Sequence, residues 1–185
     1  METVFSGNPW TTSFTEDSFG NIWIGTYRNG TFCFHKNQTP FQKSMSGKNI
    51  ECMSTDHSGN YWIGSLNGEV CVLDSTQKQI MGKTIFPNDM IHTIYGQESS
   101  NKVWVGTMHG LYEAWIESNK QIVYQKTPGI NIPSIRSIVQ DSCFLWIASY
   151  NNGVTLYNYS TQQSVVTYKT DSEVLPLPPI LYVQF

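Results

Sequence analysis

The chain has 185 residues, 39% hydrophobic and 14% charged, with a formal net charge of −3, and at that length it can bury a sizeable core. Its eleven Lys and Arg are scattered singly rather than gathered in the basic stripe of a nucleic-acid binder. No apolar stretch approaches the roughly 18 residues a bilayer span needs, so no membrane contact is expected of this segment.

Taken in chain order, the sequence reads as short strands separated by Gly, Asn, Ser and Asp turns. Residues 1–9 resemble the close of a strand unit, since Thr3-Val-Phe-Ser-Gly7 echoes Thr84-Ile-Phe-Pro-Asn88. Residues 10–46 hold strands at Trp10–Phe14, Ile22–Ile24, Thr31–Phe34 and Phe41–Lys43. Residues 47–89 show the unit most clearly. Ile50–Thr55 alternates and stops at Asp56-His-Ser-Gly59-Asn60, a turn of residues that tolerate left-handed backbone. Tyr61–Ser65, Glu69–Asp74 and Gln79–Ile85 follow. In 90–132 the strands fall at Ile91–Tyr95, Val103–Val105, from Leu111, and at Ile122–Lys126. In 133–173 they fall at Ile135–Val139, around Trp146, at Val154–Tyr157 and at Val165–Thr170. Residues 174–185 read as the loop and first strand of a further unit. Short loops make successive strands antiparallel neighbours, so each unit is a four-stranded meander.

Two markers keep one period. Trp23, Trp62, Trp104 and Trp146 are spaced by 39, 42 and 42 residues, and Gly30, Gly68, Gly110 and Gly153 follow them by 7, 6, 6 and 7. A doubled register near 40 residues with strand composition points to propeller blades. The second strands, such as Ile22-Trp23-Ile24, are apolar on both faces, as strands covered by a sheet on each side must be. The small residue that follows, Gly25, Gly64, Gly106 or Ala148, fits a place where sheets crowd together. The expected fold is all-β: four four-stranded antiparallel blades, part of a larger propeller. A closed four-bladed ring is the alternative.

At these residues the sequence resembles the two-component regulator propeller repeat, whose signature runs Asp-x-x-Gly-x-hydrophobic-Trp-hydrophobic-Gly-Thr. Asp17–Thr26 and Asp56–Ser65 match almost in full. The third repeat has Gln97-Glu-Ser-Ser-Asn101 in place of the Asp and Gly, and the fourth is one residue short between Asp141 and Trp146. The resemblance implies the periplasmic sensor region of a hybrid two-component histidine kinase of the Bacteroidetes type. It implies an oligosaccharide or other small-molecule ligand, and a larger inner-membrane receptor compatible with a homodimer. A scaffold propeller that binds protein partners is the competing reading.

No catalytic constellation stands out, so this segment is not expected to be an enzyme, and no metal or cofactor is implied. Cys33, Cys52, Cys71 and Cys143 lack ligand or redox spacing and read as structural thiols. His35, His57, His92 and His109 share no ligand spacing. Asp17, Asp56 and Asp141 occupy a repeated tight turn, where Asp caps backbone N–H groups. Loops from second to third strand and from fourth strand to the next blade should open on one face. They carry Tyr27, Arg28, Asn67, His109 and Tyr150, with Lys48, Asn49, Asn88, Asp89, Asn131 and Leu175 beside them. Aromatic rings with amides and a guanidinium suit sugar recognition, which makes Tyr27, Arg28, Asn67, His109 and Tyr150 the candidate ligand-binding residues.

Overall fold

The structure, a computed structural model, describes residues 10–17, 19–34, 42–44, 47–74 and 79–169. The segments 1–9 and 174–185, expected to belong to flanking blades, lie outside the described residues, as do His35 and Leu175. Sixteen strands form four separate four-stranded antiparallel sheets, each in simple sequence order. The first holds β1 (Thr11–Glu16), β2 (Ile22–Thr26), β3 (Gly30–Phe34) and β4 (Gln42–Ser44); the second holds β5 (Ile50–Thr55), β6 (Tyr61–Ser65), β7 (Glu69–Leu73) and β8 (Gln79–Thr84). The third holds β9 (Ile91–Gly96), β10 (Lys102–Thr107), β11 (Leu111–Ile116) and β12 (Ile122–Lys126); the fourth holds β13 (Ile135–Asp141), β14 (Phe144–Ser149), β15 (Gly153–Asn158) and β16 (Gln163–Tyr168). Strand ends move slightly from expectation. β1 runs on to Glu16, and β16 begins at Gln163 rather than Val165.

The repeated aspartate turn builds itself around one carboxylate. Asp56 accepts from the backbone N–H groups of Ser58 and Asn60 through Oδ1, and from the Asn60 amide and the Trp62 indole through Oδ2. Asp17 repeats all four bonds with Phe19, Asn21 and Trp23. The spacing of Asp, Asn and Trp is therefore a hydrogen-bond geometry: one side chain closes the turn and pins the indole of the next strand. Gly20 and Gly59 supply the left-handed backbone, at φ 78° each. Both aspartates are buried and structural, as the turn predicts.

Between sheets the small residue after each Trp-hydrophobic pair is a socket. A Cβ on Gly25 would stand 2.9 Å from Ile50 Cγ2, on Gly64 2.8 Å from Ile91 Cγ2, and on Gly106 2.5 Å from Ile135 Cγ2. Each isoleucine begins the innermost strand of the next sheet and has 0% of its surface exposed. Such burial contributes roughly 1.5–3 kcal/mol per side chain. Three hydrophobic clusters fill the three joints, around Trp23 and Ile63, around Trp62 and Val105, and around Trp104 and Ile147.

The innermost strands stand in sequence: β1 packs beside β5, β5 beside β9, and β9 beside β13. No comparable contact joins β13 to β1 among the described residues. Phe14 confirms that this end is open. It shares the register position of Ile94 and Ile138, which are buried against the preceding sheet, yet Phe14 is 83% exposed. The four sheets form an open arc of propeller blades, and the closed four-bladed ring is excluded.

Candidate functional site

The turns after each blade's second strand sit at one end of the arc beside the start of the innermost strands. Tyr27 N donates to Trp10 O at 2.9 Å, Leu66 N to Asn49 O at 3.3 Å, Met108 N to Met90 O at 2.9 Å, and Tyr150 N to Ser134 O at 2.9 Å. Two bonds cross between neighbouring blades, Gly30 N to Lys48 O at 3.3 Å and Ser134 N to Met108 O at 2.8 Å. A rim laced in this way holds its loops in fixed relation to one another.

The five sequence-predicted residues all lie on this rim, and their surroundings differ. Tyr27 is half-buried and stacks on Trp10 with ring centroids 6.2 Å apart, while the exposed Arg28 guanidinium lies 5.2 Å over its ring. Arg28 holds φ 76°, a backbone that costs a non-glycine residue about 1 kcal/mol. Tyr150 is 71% exposed, with the Arg136 guanidinium 5.4 Å over its ring. Asn67, by contrast, accepts from the Ser65 hydroxyl and serves its own turn. His109 Nδ1 stands 2.9 Å from Asp89 Oδ1, but with poor hydrogen-bond angles, so it is an ion pair only when the ring is protonated. Apart from Tyr27 with Arg28, no hydrogen bond or ring contact joins these five to one another among the described residues.

Just inside the rim lies a feature that the sequence reading did not assemble. All four innermost strands carry a β-bulge at the same place, directly opposite the socket residue. The extra residues are Thr12, Glu51, His92 and Arg136, and every one is polar. They form a ladder from blade to blade. Thr12 Oγ1 donates to Ile50 O at 2.5 Å, Glu51 Oε1 lies 3.8 Å from His92 Nδ1, and Arg136 Nη1 is 3.1 Å from the same nitrogen. A guanidinium can only donate, so His92 Nδ1 accepts and the ring proton sits on Nε2. Glu51 at 3.8 Å is then a neighbour rather than an ion-pair partner. The His92 side chain is 4% exposed, and its Nε2 has no partner among the described residues. A bulge turns a side chain out of the alternation of its strand, so Arg136 leaves the core, is exposed, and meets Tyr150 at the rim. A partial signal was present: in three repeats an ionisable residue follows the first isoleucine of the innermost strand, at Glu51, His92 and Arg136.

Residues 5–28 match the family model described as two component regulator propeller. The match spans the segment that holds Asp17 and Trp23. Comparison with curated proteins gave no match. Among solved structures, the extracellular domain of a protein described as a hybrid two component system of B. thetaiotaomicron is 24% identical, with a TM-score of 0.72 over 91% of this chain and 23% of that one. The extracellular domain of a protein described as a one component system of the same organism is 22% identical, with a TM-score of 0.65 over 86% of this chain and 22% of that one. An auxiliary nutrient binding protein of Bacteroides thetaiotaomicron is 15% identical, with a TM-score of 0.68 over 90% of this chain and 48% of that one. At these identities the likeness is one of fold, and the chain spans less than half the length of each.

The end of the arc opposite the rim carries the aspartate turns of the propeller repeat. A cleft of about 220 Å³ there is lined by Asp17, Thr55, Asp56, His57, Ser58, Gly59 and Tyr61. Its carboxylates are engaged in turn and indole bonds, so the cleft is a by-product of the repeat. The third repeat departs from the pattern with a visible cost. Gln97 stands where the aspartate would, but its amide donates to Glu113 at 2.9 Å, and the buried Trp104 Nε1 is left without a partner among the described residues.

Proposed function

We propose that the chain is the ligand-sensing propeller segment of a two-component signalling receptor of the hybrid histidine kinase type, exposed to the periplasm and detecting an oligosaccharide. The observation that carries this reading is the rim. Tyr27, Arg28 and Tyr150 stand there with aromatic faces and a guanidinium that no turn requires, on an array whose first repeat matches the two component regulator propeller. Rings stack on the apolar face of a pyranose, and polar groups fix its hydroxyls. A docking face for a protein partner would instead call for a broad apolar patch. Here Trp10, Met90 and Met108 are exposed on the rim, but the guanidiniums of Arg28 and Arg136 lie over its two tyrosine rings. Supporting the cellular setting, the fold is shared with extracellular domains of proteins described as hybrid two component and one component systems.

The test is the complete gene together with a binding measurement. We expect a membrane-spanning helix and a histidine-kinase core in the same reading frame, and an oligosaccharide that binds the purified chain in calorimetry. A complete reading frame without an output domain overturns the receptor assignment.

A further inference from the structure

The chain has only two arginines, Arg28 and Arg136. Both are exposed, both lie over a tyrosine, and both belong to the same rim. Neither has a carboxylate partner among the described residues, although the chain has fourteen Asp and Glu. Two lysines do have one among these residues. Lys48 pairs with Glu69 at 2.7 Å and Lys102 with Glu113 at 2.9 Å. In a chain of net negative charge, two unpaired guanidiniums on one rim are an unused anion-recognition capacity.

Arg136 is the better held of the two. One Nη1 donor goes to His92 Nδ1 at 3.1 Å, and the His92 ring is almost fully buried, so the anchor is rigid. Among the described residues, the only hydrogen bond that ring makes is the one to Arg136. The planar group lies over Tyr150 and keeps its remaining donors for a partner. A fork of two parallel N–H groups matches a carboxylate bidentately, and a ring beside it continues the platform for a pyranose. Glu51, next along the ladder, puts negative charge near the same place. That charge opposes a densely charged polyanion more than it opposes a single carboxylate.

We infer that the Arg136–Tyr150 pair, positioned by His92, binds the carboxylate of an acidic sugar, with the pyranose lying on Tyr150. This deepens the sensor reading and rests on it: the rim reads the charge of the ligand as well as its ring. Arg136 makes the contact, and His92 is a positioning residue.

The experiment begins with an array of neutral, uronate-containing and sulfated oligosaccharides probed with the chain, followed by calorimetry of the best ligand on variants. The expected result is binding concentrated in the uronate-containing members. Arg136→Gln should then weaken binding of the acidic ligand roughly ten- to a hundredfold, the range of a lost charge-assisted hydrogen bond. Arg136→Lys should restore only part of it, because an ammonium lacks the fork. His92→Asn, which keeps an acceptor near Nδ1, should bind better than His92→Phe, which keeps the volume alone. Arg136→Gln is an exposed substitution, and an unchanged melting temperature shows that the variant folds. Binding confined to neutral members, or an unaltered affinity in Arg136→Gln, overturns the inference and leaves the sensor reading standing. Preference for sulfated members overturns the carboxylate assignment. An array on which nothing binds overturns the inference and the oligosaccharide reading together.

Discussion

Tyr61, on the second blade, donates its phenol to Asp17, on the first, at 2.6 Å across the joint between two sheets. The same Asp17 oxygen already holds the Trp23 indole, whose ring lies 4.3 Å from that of Tyr61. Burial pushes the Asp17 carboxyl up, but the donors from Tyr61, Asn21 and Trp23 outweigh it and bring the pKa down from 3.8 to about 2. Burial first, and then the bond to Asp17, push Tyr61 up. A carboxylate with a depressed folded pKa stabilises the fold above its unfolded value and loses that contribution as pH falls through the folded one. The contribution is about 2 kcal/mol, present above roughly pH 4 and lost toward pH 2. Urea unfolding between pH 5 and pH 2 should show this slope in the parent. Asp17→Asn should be less stable at neutral pH and much flatter below it. Glu113, also lowered, supplies part of the remaining slope.

The inter-blade socket makes a sharper structural prediction. Gly106→Ala places a methyl 2.5 Å from Ile135 Cγ2 and 2.6 Å from Thr93 Cγ2, both on β-branched side chains that cannot swing aside. Overpacking of this kind costs about 1–3 kcal/mol. Combining it with Ile135→Ala should cost less than the two changes summed, since the smaller residue makes room. Strict additivity in chemical unfolding would show that the methyl is accommodated elsewhere.

Trp62 and Trp104 hold equivalent places with unequal bonding. The first gives its indole N–H to Asp56 at 2.9 Å, and the second has no acceptor. Trp62→Phe should therefore destabilise the chain more than Trp104→Phe, by about 1–2 kcal/mol. Equal losses would mean that the indole bond in the repeat carries no net stability.

Thiol chemistry should separate one cysteine from three. Cys33, Cys52 and Cys71 are buried, whereas Cys143 is partly exposed in a turn. Burial pushes the Cys71 thiol up to about 11 and raises that of Cys52 as well. Reaction with a disulfide reagent in native buffer should consume Cys143 first, and the others only as the chain unfolds. Rapid native modification of Cys52 would contradict the packing of the second and third blades.

On the rim, Arg28→Ala and Tyr150→Ala should each change stability by less than about 0.5 kcal/mol, as exposed substitutions do, and Tyr27→Ala by more, because that ring is half-buried against Trp10. Their effect should appear in oligosaccharide affinity measured by calorimetry. Parent-like binding by all three would place the ligand elsewhere.

How far these features were legible depends on whether one strand or two had to be read. Trp23, Trp62, Trp104 and Trp146 with their glycines gave the blades, because each marker answers to a need inside its own repeat. The aspartate turns were equally local, since the bonds that close them reach at most six residues; the bond from Tyr61 to Asp17, across the joint, was not legible in this way. The rim could be placed because loop order alone assigns the turns to ends of the blade. The ladder is different in kind. A bulge is a mismatch between two strands, invisible in either one, and Thr12, Glu51, His92 and Arg136 are four different residue types; the isoleucine before three of them marks a shared place but not a bulge. The open end was hidden too: Phe14 in isolation looks like any core aromatic, and only the register that equates it with Ile94 and Ile138 marks it as uncovered.

The recurring bulge separates two jobs that a regular strand would force together. In a strict two-residue alternation, changing what the inner surface displays would shift the side chains packed behind it. Here the extra residue in each innermost strand stands off the register of the sockets and isoleucines, so the alternation behind it is the same whichever residue type occupies the place. An acid, a base, a hydroxyl and a guanidinium already occupy the four places. The arc thus offers one place per blade where residue type is decoupled from the strand alternation, and the four different side chains found there are what that decoupling permits.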